Sequence, residues 1–402
     1  MKILVHDYAG HPFQVQLSRE LAERGHIVRH AYAGGLQTPR GELKKRSDDS
    51  DNFDSFEVPM SPDYAKFKYS FIKRRAMEIE YGRVAGKMIR EWKPDLVISA
   101  NTPTESQTGV LAGSREVGAK FVYWCQDFYS IAVDKLVRKK IPILGGLIGN
   151  YYKGLDRKHF QSSDHVVSIT EDFKPIMVDE FGVSPERVTT IPNWAPLENL
   201  SLEPKVNAWS QEQGLADKFV ILYTGTLGMK HNPNLLLGVA EKFKNQDDVR
   251  VVVISEGMGS DWLKEQKEAK DLENLVLLGY QPFEKLPEVL ASGDVLTGVL
   301  EEEAGVFSVP SKVLTYLCAK KPILLAVPEV NLAARIIREE GAGLTVAPAD
   351  EGGFLKAAEE LYRDRDKAVA MGEKARDYAE KTFDVKLIGD RFEMLMEELR
   401  KN

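Results

Sequence analysis

A chain of 402 residues with 43% hydrophobic and 29% charged residues has the length of two or three domains and enough apolar content for a real core. Its net charge of −7 argues against general nucleic-acid binding, and Cys125 and Cys318, with no His/Cys cluster beside them, argue against a disulfide framework or a structural zinc. The apolar stretch after Met1-Lys2 is too short for a secretory signal and no apolar run approaches the ~20 residues that span a bilayer, so a cytoplasmic protein is expected, with any membrane contact peripheral.

Short β-branched runs alternate with helical patterns through the first half. Residues 3–5, 27–32, 95–100, 120–124, 165–170 and 187–192 read as strands, and 15–25, 104–118 and 171–182 as amphipathic helices. After the first strand comes DYAGHPFQVQLSREL, where Gly10, His11 and Pro12 stand at a loop-to-helix junction. A glycine there lets a ligand approach the backbone, with a plain strand-to-helix turn as the alternative. The dinucleotide pattern G-x-G-x-x-G is absent, which argues against hydride chemistry. The acidic run 47–54 lacks the glycine and closing glutamate of a calcium loop and reads as exposed loop. Residues 64–93 interleave Lys66, Lys68, Lys73, Arg74, Arg75, Arg83, Lys87 and Arg90 with apolar side chains. Residues 135–158 add Arg138, Lys139 and Lys140 beside a second apolar stretch. Both read either as solvated helix faces or as contacts for anionic lipid.

The alternation stops at 193–213, which holds two prolines and no clear period. It resumes with strands at 218–225, 249–255, 274–279, 294–300, 322–327 and 343–347, then helices at 367–383 and 386–401. The expected fold class is α/β, two Rossmann-like domains facing each other across a cleft. The boundaries are set at 1–195 for an N-terminal domain, 196–215 for a linker and 216–383 for a C-terminal domain. Residues 384–402 form a last helix that could cross back to the first domain.

Two loops of the second half suit phosphate. In YTGTLGMKHNP, Gly225 and Gly228 bracket a turn and Lys230 precedes a helix start. In residues 301–324, three glutamates precede Ser308 and Pro310, and Ser311, Lys312 and Val313 occupy the first turn of a helix. A cation there is mildly disfavoured by the helix dipole, by up to ~1 kcal/mol, whereas charge-assisted hydrogen bonds to an anion contribute about 1.5–3 kcal/mol each. Asp364-Arg365-Asp366 matches a metal-binding D-x-D pattern but reads as a solvated face between helices. His11 and His231 are candidate ligand contacts.

The segments GHPFQVQLSRELAERGH, CQDFYS (125–130), VSITEDF (167–173), IPNW (191–194), YTGTLGMKHNP and FSVPSKVLTYLCAKKPILLAV together span nearly the whole chain. Their combination resembles a glycosyltransferase of the GT-B fold, family 4, most like bacterial enzymes that extend exopolysaccharide or O-antigen repeat units. The resemblance implies retaining, metal-independent transfer of a sugar from a nucleotide-diphosphate sugar to a glycan or polyprenol-linked acceptor, on the inner face of the cell membrane, with no further cofactor. It implies catalytic roles for Lys230, Lys312, Asp127 and Glu302. Donor contacts would come from Gly225, Thr226, Gly257, Gly259, Tyr280, Gln281, Ser308, Ser311, Val313 and Thr315, and acceptor contacts from Gly10, His11 and Gln126. The sequence departs from the family where two glutamates are usual: those places fall on Phe307 and Thr315. Glu301, Glu302 or Glu303 would replace them. Thr226 stands near the place of a usual arginine, Gln126 at that of a usual histidine, and Lys320 at that of a usual glycine. The alternatives are an epimerase-like enzyme without an acceptor and a degenerate sugar-nucleotide-binding protein.

Overall fold

The computed structural model describes residues 1–36, 42–67, 70–100, 102–228, 231–300, 302 and 311–401. The chain forms two compact units, Met1–Asn193 with Val385–Asn402, and Trp194–Asp384.

The first unit is built on a seven-stranded sheet, every paired strand parallel. The strands are β1 (Lys2–Asp7), β2 (Ile27–Ala33), β3 (Phe53–Val58), β4 (Leu96–Ala100), β5 (Lys120–Cys125), β6 (His165–Ser168) and β7 (Val188–Thr190). Their order is β3-β2-β1-β4-β5-β6-β7. Ile3, Val5, Val97, Phe121, Val122, Val166 and Val167 are almost fully buried, as strands covered on both faces require. The order turns back between β1 and β4, where Asp7 stands level with Ala100. That crevice at the carboxyl ends is where such sheets take ligands.

The helices Phe71–Trp92 and Thr104–Glu116 pack backbone to backbone through glycines. A Cβ at Gly109 would lie 2.3 Å from the Gly82 carbonyl oxygen, and one at Gly113 2.6 Å from that of Gly86. The close approach fixes the helix that carries Arg74 and Glu78. The last helix, Val385–Lys401, closes the same unit. Arg24 donates to Asp390 at 2.7 Å and to Glu393 at 2.8 Å, and Phe392 meets Trp124 edge to face at 5.1 Å.

The second unit has a six-stranded parallel sheet in the order β10-β9-β8-β11-β12-β13. Its strands are β8 (Phe219–Thr224), β9 (Val249–Ile254), β10 (Leu275–Leu278), β11 (Val295–Val299), β12 (Ile323–Ala326) and β13 (Gly343–Val346). Its switch lies between β8 and β11.

Three local expectations are corrected. The acidic run 47–54 is not simply solvated: Asp49 accepts from Arg19 at 2.7 Å, and buried Phe53 starts the edge strand β3. The stretch 196–215, expected as a linker, is a packed part of the second unit. Asn207 and Ser210 form a reciprocal cap for the helix Ala208–Glu212, and Trp209 is buried. The helix expected at 171–182 is a short α turn, Phe173–Pro175, followed by a π turn, Ile176–Glu180.

Candidate functional site

In the second unit, the helix Ser311–Leu317 follows β11 and meets the end of β8 through Lys312 and Tyr316. The Tyr316 hydroxyl accepts the Thr224 N–H at 2.9 Å, which holds helix to strand. Lys312 lies across the switch point. A Cβ at Gly225 would stand 3.2 Å from its Nζ, and one at Gly298, on β11, 3.8 Å from its Cδ. Gly225 also has φ +112°, a backbone state that only glycine adopts readily. The lysine donates to the Tyr223 hydroxyl at 2.7 Å, and that hydroxyl donates to the Thr226 carbonyl at 2.9 Å. Burial lowers the Lys312 pKa to about 7. No carboxylate among the described residues pairs with it. Lys312 is therefore a half-buried amine, held by Tyr223 with no counter-charge among the described residues, whose charged form an incoming anion would stabilise.

Around it, Thr226 Oγ1 and the Tyr280 hydroxyl are 2.7 Å apart. Gly259 donates its N–H to the Leu227 carbonyl at 2.9 Å, and a Cβ at Gly259 would lie 2.6 Å from that oxygen. Gly257, with φ +115°, opens the helix Met258–Lys270 against the same loop. The geometry gives these two glycines a close-packing reason. The Gln281 carbonyl oxygen accepts from Trp209 Nε1 at 2.9 Å. Val313 is buried, so its side chain belongs to the core and only its backbone could meet a ligand, while Thr315 is half-buried. Ser311 and Glu302 are exposed. Lys230 and Ser308 lie outside the described residues. The His231 ring accepts the Gly228 N–H at 3.0 Å, which makes it a brace of the loop.

In the first unit, Asp7 ends β1 and organises the turn that follows. Its buried carboxylate accepts the N–H of Ala9 at 3.2 Å and that of His11, whose ring stands 3.5 Å away. Burial opposes its charge, but hydrogen bonds from His11 and the charges of His11 and His30 outweigh it and hold Asp7 below the usual carboxylate range. Gly10 takes φ +75°, which lets the turn close within four residues.

Beside this turn lies a pocket of about 230 Å³, lined in part by Tyr8, Tyr64, Arg74, Glu78, Gln126, Asp127 and Tyr129. Arg74 pairs with Glu78 at 3.3 Å and donates to the Tyr129 hydroxyl. Glu78 also accepts from Tyr64 at 3.1 Å. Gln126 accepts from Asn193. Asp127 is reached by solvent at the pocket mouth yet walled in by protein at longer range; that burial raises its pKa, partly offset by His11. Thr102, on the pocket wall, bonds to His6 at 3.1 Å, and His6 in turn to Tyr81 at 2.8 Å. The structure thus brings His11, Gln126 and Asp127 together at the strand ends. The sequence reading missed Tyr8, Tyr64 and Glu78. Their signal, three polar groups at positions 8, 64 and 78, has no local spacing by which to recognise it.

Away from both sites, Leu144, Leu147 and Tyr151 share one exposed stripe of the helix Pro142–Ser162, with Leu136 and Ile141 exposed just before it. Tyr151 bonds Arg75, Tyr152 packs on Phe71, and the neighbouring Ile72 is 80% exposed. Among the described residues no helix is long and apolar enough to cross a membrane, and no group of three or more His, Cys, Asp and Glu could hold a metal.

Two family descriptions match the chain: "Glycosyltransferase Family 4" over residues 14–199 and "Glycosyl transferases group 1" over residues 205–378. Comparison with curated protein sequences finds no significant match. Among solved structures, HepE from Anabaena in complex with UDP-glucose is 14% identical, with a TM-score of 0.71 over 99% of this chain and 100% of that one. Sucrose-phosphate synthase from Thermosynechococcus elongatus is 13% identical, with a TM-score of 0.72 over 100% and 99%. WaaG, a glycosyltransferase involved in lipopolysaccharide biosynthesis, is 17% identical, with a TM-score of 0.68 over 97% and 98%. At these identities the likeness is one of fold.

Proposed function

The chain belongs to the family 4 glycosyltransferases of the GT-B fold, and from that premise we propose that it moves a sugar from a nucleotide-diphosphate sugar to a glycan or polyprenol-linked acceptor, with retention at the anomeric carbon. The observation that carries the donor half is Lys312, half-buried at the β8–β11 switch point with no carboxylate partner among the described residues. A diphosphate placed there supplies the missing negative charge. As the glycosidic bond breaks, negative charge builds on the diphosphate, and a preorganised ammonium stabilises it without reorganisation. Lys230 is proposed as the second cation on the diphosphate and Glu302 as a contact for donor-sugar hydroxyls. The departing phosphate oxygen takes the acceptor proton on the same face of the sugar, so no protein nucleophile is needed. HepE, bound to UDP-glucose, and WaaG, in lipopolysaccharide biosynthesis, support a sugar-nucleotide donor and a role in cell-surface polysaccharide. The exposed apolar stripe supports a peripheral place on the cytoplasmic membrane.

The test is incubation with labelled UDP-, GDP- and ADP-sugars, with and without a bacterial lipid extract, followed by NMR of the product's anomeric configuration. Acceptor-dependent product with the donor's configuration is expected. A sugar nucleotide epimerised without acceptor, or bound and returned unchanged, would replace this reading with the epimerase or the binding protein.

A further inference from the structure

The pocket in the first unit has a composition that discriminates among acceptors. With about 230 Å³ it is smaller than the roughly 300 Å³ at which pockets for drug-sized ligands begin, which leaves room for one ring. Its walls carry the rings of Tyr8, Tyr64, Tyr123 and Tyr129, surfaces on which the C–H face of a sugar packs.

Its charge is unfavourable to phosphate. Two carboxylates, Glu78 and Asp127, line the pocket against one cation among the described lining residues, Arg74. That guanidinium already pairs with Glu78 and donates to Tyr129. A phosphate would meet the Asp127 carboxylate beside an Arg74–Glu78 pair whose charges offset each other.

Its open hydrogen-bonding positions suit hydroxyls. Tyr8 is 6% exposed, and its buried hydroxyl lies against that of Tyr64; because Tyr64 donates to Glu78, Tyr8 donates to Tyr64 and keeps its own lone pairs open. Gln126 uses its side-chain carbonyl oxygen on Asn193 and leaves its buried Nε2 without a partner among the described residues. The Asp127 carboxylate at the mouth takes no side-chain hydrogen bond among the described residues. Buried polar atoms left open in this way are costly unless a ligand or water fills them. A donor at Gln126 and acceptors at Asp127 and Tyr8 match the mixed donor and acceptor character of sugar hydroxyls.

We propose that this pocket seats one uncharged, hydroxyl-rich sugar ring of the acceptor, so that the transferred sugar is received by the end of a glycan and not by a lipid phosphate. The proposal rests on the transferase reading and narrows it. Tyr8, Gln126 and Asp127 hold the ring, and Glu78 acts as a positioning residue that fixes Tyr64 and Arg74.

The experiment is saturation-transfer NMR on the full chain with methyl α-D-glucopyranoside, methyl α-D-mannopyranoside, methyl β-D-galactopyranoside and geranyl phosphate. UDP and GDP binding are measured on the same samples. At least one glycoside is expected to bind. Tyr8→Phe, which removes only a buried hydroxyl, and Asp127→Asn, at an exposed position, should each weaken it about 5- to 20-fold. Nucleotide affinity should stay within twofold. Tighter binding of geranyl phosphate than of every glycoside, lost in Arg74→Gln, overturns the proposal. So does the absence of glycoside binding, or binding indifferent to both variants. Failure of the parent protein to bind either nucleotide would instead remove the transferase reading and leave the glycoside result to stand by itself.

Discussion

The Lys312 ammonium donates to the Tyr223 hydroxyl at 2.7 Å and lies 3.9 Å from the centroid of the same ring. The contact restrains the side chain but supplies no opposite charge, so burial decides its titration and lowers its pKa to about 7. Above that pH the free protein carries a neutral amine, and a bound diphosphate restores the proton. Nucleoside diphosphate binding should therefore take up a proton near pH 8 and weaken as pH rises from 7 to 9. Calorimetry in buffers of different ionisation enthalpy reads the uptake directly. Lys312→Met should abolish it and lower the transfer rate roughly ten- to hundredfold. For stability the sign is opposite. The folded pKa lies below the unfolded 10.5, so the parent gains stability as pH rises from about 7 to 10.5, and the Met variant should not.

Gly225→Ala should remove donor binding by displacement. The φ of +112° penalises any side chain by about 1–3 kcal/mol, and the new Cβ would press on Lys312 Nζ and Cε at 3.2 and 3.3 Å. Gly35→Ala is the control, with φ +74° and nothing within 4 Å of its Cβ. Equal loss of nucleotide affinity in both variants would mean that backbone strain alone accounts for the effect.

Gly10→Val should damage acceptor use more than donor binding. Its φ of +75° excludes a β-branched residue, and the turn it distorts carries His11 and adjoins the Asp127 pocket. Transfer should fall at least tenfold with nucleotide affinity near normal. Circular dichroism separates this from a failed fold.

The first unit should be acid-sensitive. His6, His30, His159 and His165 all have pKa values lowered to about 4, chiefly by burial. Their folded values lie below the unfolded 6.5, so the unfolded state binds more protons between these limits. Stability should fall as pH drops from 6.5 towards 4. Asp156, raised to about 6 by burial, works the other way and offsets about one proton. Scanning calorimetry should show the transition of the first unit moving down over this range, and His30→Gln should flatten the slope. An unchanged midpoint from pH 7 to 4.5 would contradict the burial of these rings.

Membrane binding, if it follows the apolar stripe, should depend on leucines more than on arginines. Arg74 and Arg75 bond Glu78, Glu105 and Tyr151, so their charges are partly used within the fold. Between Tyr129 and Lys153, five basic residues face a single acid, Asp134, around the exposed Leu144 and Leu147. Flotation with phosphatidylglycerol vesicles should fall at least tenfold in Leu144→Asp/Leu147→Asp and more mildly in Lys139→Glu. No flotation of the parent protein would exclude lipid as the partner of this face.

Apart from β3, the strands could be located from sequence because parallel strands buried on both faces announce themselves as continuous β-branched runs such as Val251-Val252-Val253. β3 could not: it is an edge strand, and FDSFEV after an acidic run has neither a continuous nor an alternating pattern. The packed stretch around Trp209 was hidden by its prolines, since a cap and one buried ring leave no period to read. In the second unit, Lys312 stood out as a cation at an unfavourable helix position. Its partner Tyr223 did not, because 89 residues separate them. The pocket of the first unit depends on the same kind of long-range meeting, with Tyr64 and Glu78 brought to Tyr8 only when the glycine-packed helices dock.

The helix Val385–Lys401 gives the protein an order of completion. Synthesis runs from the amino end, so the sheet of the first unit emerges early, but Trp124 and Arg24 gain Phe392, Asp390 and Glu393 only when residues 385–401 have left the ribosome. Until then the nascent first unit presents an uncovered aromatic surface, while the second, whose residues are contiguous, can finish by itself. A chain arrested before residue 385 has emerged would therefore carry a complete second unit on an unfinished first, and its exposed Trp124 surface would mark it for chaperones and proteases.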